Sequence, residues 1–224
     1  MANGQTFVPN SSYSTPTIET AINLQTEQAK RVFNRCFEGA GRALFTVDVI
    51  ARALAQNNKA FDHGEIMSTI NVMIEKLEKD IASAKGRFEI LLETNGHQGT
   101  RARYQAAKQF SFAISTPEIL RFAKILVAFD EMIQLFDTLW LVGLIDSKKA
   151  QAFRGEQLRM VMRIVRKLQS QATMARKKAR TEGTPEAIEA LQAVLDEDDA
   201  EKQTTAEADA VINAEDDENL AASA

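Results

Sequence analysis

One stretch of the sequence constrains the fold more than any other, because between Asp62 and Thr94 apolar residues recur four and three positions apart. The repeat consists of Ile70, Ile74, Leu77, Ile81, Ala84, Phe88 and Leu91. Such spacing predicts an amphipathic α-helix of about thirty residues that packs on another helix along its whole length. Asp62 and Glu65 form a capping box at its start, and Asn95–Gly96 ends it. We expect the packing to be intramolecular, with packing across a dimer as the alternative.

Two further helices are predicted towards the C-terminus. Thr116 and Pro117 mark the start of a helix that is apolar on most sides as far as Val142, which indicates the buried centre of the fold. Gly143 ends it, and Asp146 or Ser147 begins the next helix. The predicted inward face of that helix consists of Phe153, Leu158, Val161, Met162, Val165 and Leu168. A short helix over residues 185–195 is also predicted.

The N-terminal segment is typical of a strand followed by helices. Alternation over residues 17–25 places Ile18, Ile22 and Leu24 on one face of a strand. A helix is predicted from Thr26 to Phe37, a turn at Gly39–Gly41, and a second helix from Val47 to Ala55, capped by Thr46. Strand, helix, turn and helix is the order of a ribbon-helix-helix protomer, whose strand pairs with a second copy. The alternative is an edge strand of an ordinary mixed domain, and Phe110–Ile114 alternates like a second short strand.

Charge is divided along the chain and suggests four regions. Residues 1–181 hold 26 Lys and Arg against 17 Asp and Glu, whereas residues 182–224 hold one Lys against 14 acids. The net charge of the body is therefore +9 and that of the tail −13. This division favours a body that binds a polyanion and an acidic tail that mimics the polyanion. We expect a disordered leader (1–16), a ribbon-helix-helix-like unit (17–58), a helical body with a basic last helix (59–181) and an acidic, mostly disordered tail (182–224).

Composition argues against several other classes. One cysteine and two histidines exclude a disulfide scaffold and a zinc module, so we expect a cytoplasmic protein without cofactor or metal. Cys36 is interpreted as a packed core thiol rather than a nucleophile. Asp130 and Asp137 are interpreted as buried acids facing basic side chains, although an acid-pair hydrolase built on them is a weak alternative.

Double-stranded DNA is the predicted partner. On the strand, Ala21, Asn23 and Gln25 face away from the core, and Asn and Gln suit adenine edges. The turn before the second helix, formed by Arg42, Leu44, Phe45 and Thr46, would anchor a phosphate, and Lys30 and Arg31 are further DNA-binding candidates. A basic stripe, defined as Arg159, Arg163, Arg166 and Lys167, would add sequence-independent affinity, for which the acidic tail would compete. The structural alternative for the stripe is a solvated helix face or a docking site for the tail.

A family resemblance points the same way. Thr116–Pro117, Arg121, Leu126, Phe129–Asp130, Gly143–Leu144–Ile145 and Arg159 resemble the pattern of AcaB-like regulators of conjugative plasmids and integrating conjugative elements. The similarity covers residues 17–170 and also includes the segment from Ala21 to Arg35. It implies a dimeric ribbon-helix-helix protein that regulates transcription of transfer genes. Many relatives continue after the last helix with Tyr-Arg and Gly-Val-Thr-Arg segments, where this chain has Met174–Lys178, so any DNA contact made there does not carry over.

We therefore expect a dimeric, sequence-specific DNA-binding protein rather than an enzyme. Its predicted fold is mainly α, with an N-terminal ribbon-helix-helix unit of one short strand and two helices, an added helical body and disordered termini. Activation of transcription, with RNA polymerase as an additional partner, is favoured over repression. The alternative is a structural or scaffolding protein of a DNA-transfer machine, without sequence-specific binding.

Overall fold

The structure, a computed structural model, describes residues 16–57 and 63–182, with side chains for residues 16–50, 67–178 and 181. Its elements are β1 (Ile18–Leu24), α1 (Glu27–Val32), a π-helical turn (Phe33–Phe37), α2 (Glu38–Asn57), α3 (His63–Thr94), β2 (Lys108–Ile114), α4 (Pro117–Leu141) and α5 (Ser147–Glu182). The protein is mainly helical, as predicted. The predicted leader, the short helix at 185–195, the tail and Asp62 of the capping box lie outside the described residues.

A two-stranded antiparallel ribbon is formed by β1 and β2 of the same chain. Its register runs from Ile18 opposite Ile114 to Leu24 opposite Lys108. Both predicted strands are confirmed, and the partner of β1 within the described residues is β2 of the same chain, whereas the ribbon-helix-helix interpretation expected a second copy. Sequence periodicity identified each strand separately and carried no signal for a pairing between segments this far apart.

A single continuous helical path runs through α1, the π-helical turn and α2. Thr26 caps its start, as predicted, through a 3.3 Å hydrogen bond from the Ala29 backbone N–H to its Oγ1. The predicted turn at Gly39–Gly41 is wrong, since both glycines lie inside α2. Thr46 therefore caps no second helix and is buried in the middle of α2. The structure thus places no helix–turn–helix within residues 17–58.

Tertiary packing explains why the glycines do not end the helix. A Cβ at Gly41 would lie 3.9 Å from the nearest atom of Ile119, so this part of α2 passes close to α4. A glycine inside a helix costs about 1 kcal/mol relative to alanine, which burial of the surrounding apolar residues readily offsets. Glycine alone is consequently a weak stop signal within an apolar run.

The long helix predicted from the 4-3 repeat is confirmed as α3. Ile70, Ile74, Leu77 and Ile81 are buried within the chain's own core, so the packing is intramolecular. One member of the repeat departs from the prediction: Leu91 is 40% exposed, and Leu92 is buried instead. The last turn of α3 has rotated relative to a strict heptad, as an unsupercoiled helix with 3.6 residues per turn does.

The predicted buried centre is α4, which packs against α3 and runs parallel to it. Phe88 of α3 contacts Phe136 of α4 with ring centroids 5.4 Å apart. Most of α4 is buried, although Trp140 at its end is 37% exposed and donates from Nε1 to the Ser147 hydroxyl at 3.1 Å. Gly143 (φ +81°) ends the helix as predicted, and α5 folds back with its predicted inward face in the core.

Candidate nucleic-acid interface

The ribbon presents a short polar face to solvent. Asn23 lies directly opposite Gln109, and Ala21 lies opposite Ser111. All four side chains are exposed, whereas the alternating positions Leu24, Phe110 and Phe112 are buried. The predicted orientation of β1 is therefore confirmed at Ile22 and Leu24, which face the core, whereas Ile18 at the start of the strand is 67% exposed.

Aromatic packing holds the ribbon on the helices. The ring of Phe33 lies 4.4 Å from that of Phe110, and Phe37 meets Phe112 edge-on at 4.8 Å, both between centroids. Phe33 and Phe37 also stack on each other at 4.5 Å. Because Phe33 and Phe37 both belong to the π-helical turn, the ribbon packs on that turn.

Asp130 fixes the point where β1 becomes α1. Its carboxylate accepts hydrogen bonds from the backbone N–H groups of Gln25 (3.0 Å) and Thr26 (2.8 Å) and from the Thr26 hydroxyl (2.7 Å). Gln134 donates a fourth from its side-chain amide at 2.9 Å. A carboxylate at a helix N-terminus is favoured by the helix dipole. This acid of α4 therefore sets the position of the ribbon relative to the helical body.

The predicted DNA-contacting residues of the strand divide into two groups. Ala21 and Asn23 lie on the outward face, in the centre of the ribbon. Gln25 lies beyond the end of β1, is half-buried, and is held at its backbone by Asp130. The structure therefore brings Ala21 and Asn23 together on one surface and leaves Gln25 at its margin.

Most of the DNA-binding candidates predicted after the strand, including the phosphate-anchoring turn, are buried. Lys30 is 8% exposed and pairs with Glu27 at 2.9 Å, while its Nζ also donates to the Ala106 carbonyl. Arg42 is 9% exposed and pairs with Glu38 at 3.0 Å. With Thr46 buried as well, the anchoring turn expected there does not exist, and among these candidates only Arg31 lies exposed.

The basic stripe lies on the outer side of α5. Arg163 and Lys167 are exposed, while Arg159 and Arg166 are half-buried at its margins. The opposite side of α5, including Leu158, Val161, Val165 and Leu168, is in the core. Lys177 continues the exposed side towards the C-terminal end of the helix, and from residue 157 to residue 178 α5 contains no acid.

Sequence reasoning missed the β2 half of the polar face, Gln109 and Ser111. Alternation at residues 110–114 indicated a strand, and extending it by two residues would have brought in Gln109 and Lys108. The pairing that places Gln109 opposite Asn23 had no local signal, because it joins residues far apart in the chain.

Asp137, one of the two acids in the hydrolase alternative, makes structural contacts. Asp137 accepts hydrogen bonds from Arg154 Nε (2.7 Å) and from the Tyr104 hydroxyl, and Arg154 Nη2 also approaches it at 2.6 Å. This agrees with the interpretation of a buried acid facing a basic side chain. Burial, followed by the hydrogen bond to Asp137, raises the pKa of Tyr104 above its usual range.

Asp130, by contrast, faces backbone donors and an amide rather than the expected Lys or Arg. Both carboxylates thus hold segments of the chain together. Within the described ranges, no three His, Cys, Asp or Glu side chains cluster as metal ligands.

Cys36 is a core thiol, as predicted. It is 2% exposed, and burial raises its pKa to about 11 despite the nearby guanidinium groups of Arg35 and Arg166. A thiol with so little thiolate at neutral pH is a poor nucleophile. In the part of the chain that the structure covers, no helix combines the length and apolar character needed to cross a bilayer.

Comparison with known proteins identifies one fold relative. A crystal structure of selenomethionine-containing AcaB from uropathogenic E. coli matches with a TM-score of 0.73 and 24% sequence identity. The match covers 81% of this chain and 91% of that chain. No known family profile matches this chain, and no curated protein does so either. The chain thus has an AcaB-like fold, in agreement with the resemblance found in the sequence.

Proposed function

We propose that this protein is a sequence-specific DNA-binding regulator of transcription that reads the major groove with the β1–β2 ribbon. The observation that carries the proposal is the outward face of that ribbon, where Asn23, Gln109 and Ser111 stand exposed on a rigidly seated pair of strands. A two-stranded antiparallel ribbon fits the major groove of B-DNA, which is about 12 Å wide.

The chemistry of the face suits base recognition. The amide groups of Asn23 and Gln109 can each donate to and accept from an adenine edge, while Ala21 and Ser111 are small enough to let the strands approach the bases. Glu19 is opposite Ala113 at the other end of the ribbon, which keeps its charge away from Asn23 and Gln109. In this proposal one chain supplies both strands, in place of the two-chain ribbon that the sequence predicted.

Phosphate contacts are assigned to the basic stripe. Arg163 and Lys167 are exposed one turn apart on α5. Cations in such an arrangement neutralise DNA phosphates, and the counterions bound to the DNA are released. They contribute affinity without sequence preference, so the two surfaces have separate roles. Binding through the stripe weakens steeply as salt concentration rises.

We further propose a homodimer that activates transfer genes of a conjugative element, with RNA polymerase as a partner. This rests on the resemblance to AcaB-like regulators and on the AcaB-like fold. Within the described residues, the outer edge of each ribbon strand has no strand neighbour, and a second copy can pair there. Sedimentation gives the oligomeric state, and a reporter fused to transfer promoters gives the sign of regulation.

The test is fluorescence-anisotropy titration of the full chain with promoter fragments from its own genetic neighbourhood and with random duplex. We expect Asn23→Ala with Gln109→Ala to weaken binding to the preferred fragment at least about thirtyfold, because two base contacts of about 1–3 kcal/mol each are lost. Random-duplex affinity should stay within about twofold. The matched control is Asn34→Ala with Gln151→Ala, two exposed amides outside the ribbon.

Each result has a distinct meaning. If the ribbon variant keeps the full fragment preference, the ribbon does not read the sequence. If the unmodified protein binds all duplexes equally, sequence-specific regulation is wrong and the scaffolding alternative gains support. Replacing both Arg163 and Lys167 with Gln should reduce the magnitude of the slope of log affinity against log salt by about two, whatever the duplex.

A further inference from the structure

The basic side of α5 extends well beyond the four residues of the stripe. Lys167 and Lys177 are both exposed on it, and Met174 between them is 60% exposed. From Arg159 to Lys177 the helix rises about 27 Å, at 1.5 Å per residue. The exposed side is therefore a long cationic surface with one apolar side chain, and the core covers only the opposite side.

The chain itself carries a complementary segment directly after this helix. Residues 182–224 contain 14 acids and one Lys, and five of the acids fall within Asp196–Glu201. Gly183 and Pro185 follow the last residue of α5, and both residue types favour the end of a helix and a change of chain direction. Opposite charge and direct continuity thus point to the same occupant of the basic side.

The length of the tail matches the position of the cations. Along α5, Lys167 lies about 22 Å and Arg159 about 34 Å from Glu182. Asp196 is 14 residues beyond Glu182, which corresponds to about 21 Å as helix and about 48 Å as extended chain. A segment near the extended limit therefore carries the first dense group of acids to the whole stripe, whereas a fully helical segment stops just short of Lys167.

We infer that the acidic tail docks on the basic side of α5 of its own chain, with Asp196–Glu201 against Arg159, Arg163 and Lys167. A docked tail occupies the cations that random DNA would use. It therefore weakens binding to random DNA, which depends on these cations.

That last consequence rests on the proposed function, whereas the docking itself does not. The first experiment therefore contains no DNA. A zero-length carbodiimide, which joins amines to carboxylates in direct contact, is applied to the full chain at low salt, and the cross-linked peptides are identified by mass spectrometry. Lys76 and Lys124, which are exposed on α3 and α4, serve as internal controls.

We expect links from Lys167 and Lys177 to tail carboxylates, at least about fivefold more abundant than links from Lys76 or Lys124, and lost at high salt. Equal labelling of all four lysines would overturn the inference. In an equal mixture of isotopically light and heavy protein, docking within one chain gives no light–heavy links, and light–heavy links that make up about half of the total would overturn it.

The second experiment measures the effect on DNA. A tail variant with Asp196, Asp198 and Asp199 each changed to Asn should bind random duplex about fivefold more tightly at low salt. The matched control, Glu75→Gln with Asp80→Asn and Glu93→Gln, changes three exposed acids of the body and should alter affinity less than twofold. Equal gains in both variants would overturn competition by the tail. If no duplex binds at all, the proposed function fails while the cross-links still decide the docking.

Discussion

At the residue scale, Asp130 joins parts of the chain that are far apart in sequence. Its four hydrogen bonds reach the end of β1, the N-cap of α1 and Gln134 of its own helix. It is 3% exposed, so water cannot replace these partners. One buried carboxylate thus sets both the start of the first helix and the position of the ribbon.

We predict that Asp130→Asn lowers the free energy of unfolding by about 2–4 kcal/mol. The amide keeps the shape of the side chain but loses the charge, and its NH₂ group faces donors that need an acceptor. Urea denaturation followed by circular dichroism measures the change. Asp80→Asn, which alters an exposed acid of α3, should shift stability by less than about 0.5 kcal/mol, and equal losses in the two variants would contradict this role.

At the scale of elements, two glycines show how backbone conformation distinguishes the interior of a helix from its end. Gly41 lies within α2, where an added Cβ would meet Ile119 at an ordinary contact distance of 3.9 Å. Gly143 has φ +81° and follows the end of α4. Residues with a side chain rarely adopt a positive φ.

We predict opposite effects for the same substitution at these positions. Gly41→Ala should raise the free energy of unfolding by up to about 1 kcal/mol, because alanine restricts the unfolded chain and fits the helix. Gly143→Ala should lower it by about 1 kcal/mol. Thermal and urea unfolding measure both, and a destabilised Gly41→Ala protein would mean that α2 has no room for the methyl group.

The elements differ in how far local sequence could predict them. Periodicity identified α3, α4, α5 and both strands, since these patterns reflect which side of each element is buried. It failed at Gly39–Gly41, where packing of α2 against α4 outweighs the low helix propensity of glycine. Half of the candidate site followed from the alternation of β1, while Gln109 and Ser111 depended on a pairing with no local signal.

On the scale of the whole molecule, an ion pair between Arg121 and Glu78 ties α3 to α4. Arg121 donates from Nε at 2.8 Å and from Nη2 at 2.6 Å to the two carboxylate oxygens. The hydrogen bonds from Arg121 hold the pKa of Glu78 below its ordinary value of 4.5, against the opposing effect of burial. Because the folded pKa is lowered, the pair stabilises the protein above the unfolded pKa, and this is lost as pH falls through the folded value.

We predict that Glu78→Gln lowers the free energy of unfolding at pH 7 by at most about 1 kcal/mol, since the Glu78 side chain is 38% exposed and solvent screens the pair. The difference from the unmodified protein should shrink as pH falls below the ordinary pKa of 4.5, and it should vanish once the pH lies below the lowered pKa of folded Glu78, where both proteins carry a neutral side chain at this position. Urea denaturation between pH 3 and pH 7 measures it. Glu75→Gln, at a looser 4.0 Å pair, is the control, and a difference independent of pH would contradict the ionic origin.

The pairing of β1 with β2 also sets the order of events during synthesis. Ladder partners lie between 84 residues apart, for Leu24 and Lys108, and 96 residues apart, for Ile18 and Ile114. At roughly 5–20 residues per second, β1 is synthesised about 5–20 s before its partner. Before β2 is synthesised, the outward side chains of Glu19 and Asn23 make β1 a poor template for aggregation, because one is acidic and the other polar. The ribbon is thus completed only after α1, α2 and α3 have been synthesised, although its first strand is the first element of the described residues.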